Sequence, residues 1–402
     1  MQYDLVFEGG GAKGMVFVGA YAEFMKRGHA SVRILGTSAG AITATLIAAG
    51  YSAEEMQEAL NEQENGKSIF AGFMGQPPPF TEADIRASAI RDLLRNVNIK
   101  FLPDFIENRM DDAIAEFLAE SERFRHFFAF VERGGWYAAD RFIAWLQAKL
   151  DSGLWKGDKR RFSGMTLARF YAETQVDLSM VASDTTDGRL LVLNHLTSPD
   201  CPVVWAVRMS MSIPLVWNEV IWDKGWGTYL EKDVTDHAIV DGGLLSNFPI
   251  ELFISEEPQV TRLMGAKGTN PVLGLLIDES LPVMQPRSAK GLLVDINVKP
   301  GELKTVQRLS RLANTATTAH DKMVIEEFNH LVVRLPAKGY GTTEFDMSEV
   351  RRNALVAAGQ LAMANHFDNP PVGAIKTVSM QGAGIIGGKE AANRIATRLL
   401  TP

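Results

Sequence analysis

Two glycine-framed turns, separated by one helix and one strand, restrict residues 3–50 to strand, turn, helix, strand, turn, helix. The first turn is Gly9-Gly10-Gly11-Ala12-Lys13-Gly14 and the second is Gly36-Thr37-Ser38-Ala39-Gly40. Each follows a short apolar run, Leu5-Val6-Phe7 and Val32-Arg33-Ile34-Leu35, and each precedes a helix-compatible segment. The first turn offers backbone N–H groups to an anion. The second fits a serine elbow, in which small residues two places either side of the serine let the chain turn sharply and the next helix pack close. As a pair they point to acyl transfer at the carboxyl end of a parallel sheet.

The segment Ala39 to Ala49 is apolar on nearly every face, as expected of a helix buried behind a sheet. Gly50 is placed to end it in a left-handed cap, and Ser52 with Glu55 makes a capping box for the next helix. From about 66 to 165 the character changes. Gly66 to Phe80 is rich in Gly, Pro and Phe, Thr81 suits the N-cap of a helix near 82–96, and further helices are expected near 108–122 and 138–150. This part is read as a mostly helical insertion covering the core. Strand-like runs return at 175–183, 190–193, 238–240, 272–277 and 331–335, and the alternation predicts an α/β layered fold with a largely parallel sheet. The tail from about 347 reads as helix until Gly382–Gly388, a flexible joint before a last short helix.

The length of 402 residues allows one large domain or two to three ordinary ones, and 46% hydrophobic residues supply ample core. The net charge of −7 is spread without long blocks of one sign. The densest basic run, Lys156 to Arg161, lacks an aromatic platform and is read as a solvated loop, so no nucleic-acid partner is expected. A single cysteine, Cys201, rules out an intrachain disulfide. No stretch of about eighteen apolar residues predicts a membrane span. The expectation is a cytoplasmic protein with peripheral contact at the membrane.

Ser38 is the candidate nucleophile. The spacing Gly9-x-Gly11-x-x-Gly14 also matches a dinucleotide fingerprint, but that fingerprint wants an acidic residue about 20 positions on, at the end of the second strand. The strand here ends in Leu35-Gly36-Thr37-Ser38. An oxyanion hole needs the same backbone geometry and no such acid. The usual base for a serine is a histidine. None of His29, His126, His195, His237, His320, His330 and His366 stands in a motif. A different carboxylate stands out in Val240-Asp241-Gly242-Gly243, where an apolar strand ends in an aspartate beside a backbone that permits close approach. Read alone, the pattern slightly favours an ordinary Asp-Gly turn.

These segments resemble, in order, those of the patatin-like phospholipase family: the Gly9–Gly14 loop, the Gly36–Gly40 elbow, Ser210-Met211-Ser212-Ile213-Pro214, and Asp241-Gly242-Gly243 leading into Asn247-Phe248-Pro249. Val181-Ala182-Ser183-Asp184 before Gly188-Arg189-Leu190 is a further family-like segment. The resemblance implies a three-layer α/β/α core over 1–280, with 281–402 as a C-terminal α/β extension completing or covering it. It implies a Ser–Asp dyad without histidine. Ser38 would be the nucleophile and Asp241 the base, with Gly9, Gly10, Gly11 and Gly14 forming the oxyanion loop and Gly36, Gly40, Gly242 and Gly243 shaping the two turns. The reaction implied is ester cleavage in membrane lipids, with phospholipid or lysophospholipid as substrate and no metal or cofactor. An unidentified activator is compatible with the large insertion. The competing readings are a triad esterase using His320 or His330, and a lipid-binding effector on the same fold.

Two aromatic groups are candidates for lipid access, Trp217, Trp222, Trp226 and Tyr229, and Phe70, Phe73, Met74 and Phe80, although core packing is the favoured reading for most of them. Lys13 is read either as a charge within the glycine loop or as a surface residue of the first helix.

Overall fold

In the computed structural model, residues 1–90, 121–284, 325–370 and 386–400 are described. The main sheet has eight strands: β1 (Gln2–Phe7), β2 (Ala30–Thr37), β3 (Asp177–Asp184), β4 (Arg189–Leu193), β5 (Val220–Ile221), β6 (Ala238–Asp241), β7 (Val272–Pro282) and β8 (Val332–Lys338). Their order is β5-β6-β3-β2-β1-β7-β8, with β4 paired to β3 off this path. Strands β3, β2, β1, β7 and β8 run parallel, and β4, β5 and β6 add antiparallel pairs at one side. The sheet is thus parallel through its centre. The antiparallel additions come from short returns, such as the β3–β4 hairpin, which need no crossover helix.

Helices α1 (Val16–Lys26), α2 (Ala39–Ala48), α3 (Ala53–Asn61), α4 (Asp140–Leu150), α5 (Val203–Ser210), α6 (Glu349–Asp368) and α7 (Ile386–Leu400) pack around the sheet in a three-layer α/β/α fold. Helix α2 buries Ala41, Ala44, Leu46, Ile47 and Ala48, which is why almost no polar face was needed along it. Beyond residue 281, β8 extends the sheet next to β7, and α6 packs on α1.

Strand β3 is the template on which the site depends. Its first half pairs in parallel with β2, placing Thr37 opposite Val181. Its second half pairs antiparallel with β6, placing Asp241 opposite Ala182. Ser38 and Asp241, distant in sequence, therefore leave the sheet beside consecutive residues of one strand.

The insertion contains the Ile69–Phe73 3-10 turn, the Glu122–Glu132 helix and α4. The helix expected over 82–96 starts with the Thr81–Asp84 capping box and is seen as Glu82–Arg86. Its continuation past 90, most of the 108–122 helix and the first part of the Gly382–Gly388 joint lie outside the described residues. One expectation is corrected. The Lys156–Arg161 run is not all solvated, because Arg160 is buried and donates to Glu55 (2.8 Å) and to the Gly50 carbonyl (2.7 Å), over the ring of Tyr51. A guanidinium paired through both Nη atoms with a carboxylate tolerates burial. Here it ties the end of α2 to the Ser52–Glu55 capping box of α3.

Candidate active site

Ser38 sits between β2 and α2 with φ 54° and ψ −119°. A non-glycine residue held at positive φ stores local strain, a feature that concentrates at functional sites. The elbow is possible because its flanks have no side chains. A Cβ on Gly36 would fall 2.4 Å from the carbonyl oxygen of Gly40, and one on Gly40 would fall 2.4 Å from that of Phe7. The turn is thereby pressed against the end of β1.

Asp241 ends β6 and opens the 3-10 turn Gly242–Leu244. Its Oδ1 accepts the N–H of Gly243 (2.7 Å), while Oδ2 has no partner at full hydrogen-bond geometry. Gly242 lies against the Val181 carbonyl, where a Cβ would come within 2.4 Å. Burial pushes the Asp241 carboxyl up to about 7, against the opposing pull of the Ser38 hydroxyl and the Gly243 N–H. The hydroxyl is thus near enough to act on the carboxyl while their hydrogen bond is not fully closed, as is common in resting sites.

One turn after α5 holds both residues. Ser210 Oγ accepts the backbone N–H of Ser38 (3.0 Å) and donates to the Val181 carbonyl (2.6 Å). Two residues on, the Ser212 carbonyl accepts the backbone N–H of Asp241 (2.9 Å). Ser210→Ala leaves the Ser38 N–H and the Val181 carbonyl without this partner. The expected result is a loss of about 1–3 kcal/mol in unfolding free energy. A ten- to hundredfold fall in kcat, on the order expected when reacting groups lose their alignment, should accompany it. Denaturant unfolding and ester hydrolysis measured on the same preparation check both numbers.

The glycine loop is anchored from its back. The Gly9 N–H donates to the Asn247 carbonyl (3.1 Å), and Asn247 Nδ2 donates to the Gly9 carbonyl (3.0 Å) and to Glu8 Oε1 (3.1 Å). Glu8 Oε2 in turn accepts the N–H of Ile277 on β7 (2.6 Å). The Gly9 N–H is therefore committed to the framework, and Gly14 serves to let Ala39 approach, since a Cβ there would meet that of Ala39 at 2.5 Å. Gly11 adopts φ 55° and begins the 3-10 turn Gly11–Met15. Among the described residues, the N–H groups of Gly10 and Gly11 meet no acceptor. Lys13 is not a surface residue. It is buried, with its ammonium paired to Glu279 at the end of β7, because this segment is a tight 3-10 turn tucked under the sheet edge.

Ser38 opens into a pocket of about 740 Å³, including its mouth, lined almost wholly by apolar groups. Among the described residues no histidine lines it. His237 pairs with Asp184 (2.9 Å) and His195 stacks on Tyr171, while His320 lies outside the described residues. Ligand atoms of Asp184, Asp187 and His237 lie within 4.8 Å of one another, but Asp184 is already held by His237 and Arg189. The aromatic candidates divide. Phe70, Phe73 and Trp217 are walls of the pocket, whereas Trp222 is fully buried and donates to the Gly227 carbonyl (2.9 Å). Trp222 and the buried Tyr229 are core, so that cluster does not form a surface belt. Among the described residues no helix is long and apolar enough to cross a membrane. Sequence reasoning did not find the roles of Glu8 and Asn247 in anchoring the loop, or of Trp145 and Phe345 in the pocket. Only Asn247 carried a signal, its place after the Asp-Gly-Gly turn.

The fold is of the three-layer α/β/α class, with a serine elbow at the end of its central parallel strand β2. The family model of the patatin-like phospholipases matches residues 5–254, and the chain belongs to that family. Protein YqhO of Bacillus subtilis (strain 168) is 27% identical over 368 residues, spanning 90% of this chain and 96% of its own. Among solved structures, VipD from Legionella pneumophila is similar over 99% of this chain and 74% of its own, at 14% identity and a TM-score of 0.47. The type III effector ExoU is similar over 92% of this chain and 53% of its own, at 16% identity and a TM-score of 0.37.

Proposed function

We propose that the protein is a lipid acyl hydrolase of the phospholipase A or lysophospholipase type, using Ser38 as nucleophile and Asp241 as base. The observation that carries this reading is a buried carboxyl, raised to about 7, beside a strained serine that faces an apolar pocket. A base whose pKa lies near the working pH is well matched to its task.

In this mechanism Asp241 takes the Ser38 proton as Oγ attacks the ester carbonyl carbon. The N–H groups of Gly10 and Gly11 receive the developing oxyanion. Collapse of the intermediate expels the alcohol or lysolipid, which leaves with the proton from Asp241. Water then attacks the acyl-serine, with Asp241 again taking a proton, and free fatty acid departs. The substrate arrives from a phospholipid or lysophospholipid surface, so peripheral contact with a bilayer belongs to the proposal. The test is fatty-acid release, read by mass spectrometry, from vesicles containing medium- and long-chain phospholipids. Release of fatty acid supports the reading and names the lipid class. A folded protein that releases none from vesicles, lysolipid micelles or soluble esters overturns it.

A further inference from the structure

The pocket beside Ser38 has a few half-exposed walls and many fully buried ones. It follows α2 from Ser38 through Ile42 and Thr43 to Leu46. Two turns of helix separate Ser38 from Leu46, a rise of roughly 12 Å. Its half-exposed lining residues, Gly11, Ile42 and Ile213, come from the glycine loop, the first turn of α2 and the turn after α5, the segments around Ser38, whereas Leu46, Phe70, Phe73 and Trp145 are all buried. Trp145 of α4 is held firmly at the buried end. Its ring packs on Phe70 (5.5 Å between centroids) and Phe73 (5.2 Å), and its Nε1 donates to Glu62 (3.2 Å). The Glu62 carboxylate is in turn paired with Lys149, one helical turn beyond Trp145.

We infer that this pocket measures the acyl chain, admitting a single medium-length chain with Trp145 as its floor. The inference rests on the acyl-hydrolase reading and narrows its substrate class. With C–C bonds near 1.5 Å, an extended alkyl chain advances about 1.3 Å per carbon. The distance from Ser38 to the closed end therefore holds about eight to ten carbons. A longer chain has to leave methylenes outside the closed end, or displace an aromatic floor that is packed on Phe70 and Phe73 and hydrogen-bonded on its polar edge. Protein interiors resist such displacement because they are close-packed. The insertion thus supplies the far wall of the site, and through Trp145 and the Phe70–Phe73 turn it sets chain-length selectivity.

The experiment compares kcat/KM for p-nitrophenyl esters from butyrate to palmitate in wild type, Trp145→Ala, Leu46→Phe and Ser38→Ala. Effects are read as ratios between esters, so that a general loss of activity cancels. Wild type is expected to peak at octanoate or decanoate. Trp145→Ala should raise the myristate-to-octanoate ratio about tenfold or more, since each further buried methylene adds roughly fourfold. Leu46→Phe, which shortens the pocket from within, should lower the octanoate-to-butyrate ratio by about as much. If Trp145→Ala does not fold, Leu46→Phe decides alone. A wild-type optimum at either extreme, or ratios unmoved by the substitutions, overturns the inference while leaving the hydrolase reading intact. If no ester is cleaved in a Ser38-dependent way, the hydrolase reading itself falls and the inference falls with it.

Discussion

Ser38→Ala is expected to lower kcat for ester hydrolysis by at least about 10⁴-fold, the range seen when the nucleophile of a serine hydrolase is removed. The loss should be chemical rather than structural. The bond that fixes the elbow runs from the Ser38 backbone N–H to Ser210 Oγ (3.0 Å), and alanine keeps it. Alanine also keeps the Cβ that the elbow already accommodates. Circular dichroism and thermal unfolding should therefore be close to wild type, while fatty-acid release disappears. The substitution also removes the hydroxyl that lowers the Asp241 carboxyl, so that group should titrate higher still in the variant. Hydrolysis that survives Ser38→Ala at the wild-type rate would falsify the mechanism.

Asp241→Asn is expected to cost about 10⁴-fold in kcat, as replacement of a triad aspartate does elsewhere, and to remove the acid limb of the pH profile. In wild type the base must be ionised, and its carboxyl is raised to about 7 by burial. The value of kcat/KM should therefore climb about tenfold per pH unit below 7 and level off above it. Stability should move in the opposite sense. The folded carboxyl keeps its proton up to about pH 7, whereas a solvated aspartate loses it near 3.8. Between those values the native state binds more protons, so stability falls as pH rises, and the full cost persists above the folded pKa. Asparagine carries no such cost and has the same shape. The variant should be more stable than wild type at pH 8, by on the order of a few kcal/mol, and the gap should close towards pH 4. A flat wild-type profile across pH 5 to 8, or a variant less stable at pH 8, would count against a buried ionising base.

Much of the site was legible because glycine and serine act locally. Gly36 and Gly40 announce an elbow since no larger residue fits against Gly40 and Phe7, and Gly11 marks a turn that needs positive φ. The strands were legible from their apolar runs, and the Ser52–Glu55 capping box from its spacing. Arg160 and Lys13 were not. A charged side chain in a basic run or a glycine loop looks solvated until its partners, Glu55 and Glu279, are brought to it by the fold. Trp222 stayed open to two readings for the mirror-image reason. An amphipathic ring suits an interface or a core with a hydrogen-bond acceptor, and only the packing around Gly227 decides which.

The sequence by itself determined the two turns and the strand–helix alternation, because these depend on backbone sterics and hydrophobic period over a few residues. Tertiary structure decided the rest. Pairing of β2 and β6 along one strand, β3, brought Ser38 to Asp241. Burial then raised the carboxyl to about 7, and the insertion brought Trp145 into the pocket wall. Register between distant strands and the desolvation of a single side chain are properties of the whole packed chain. No local run of residues encodes them.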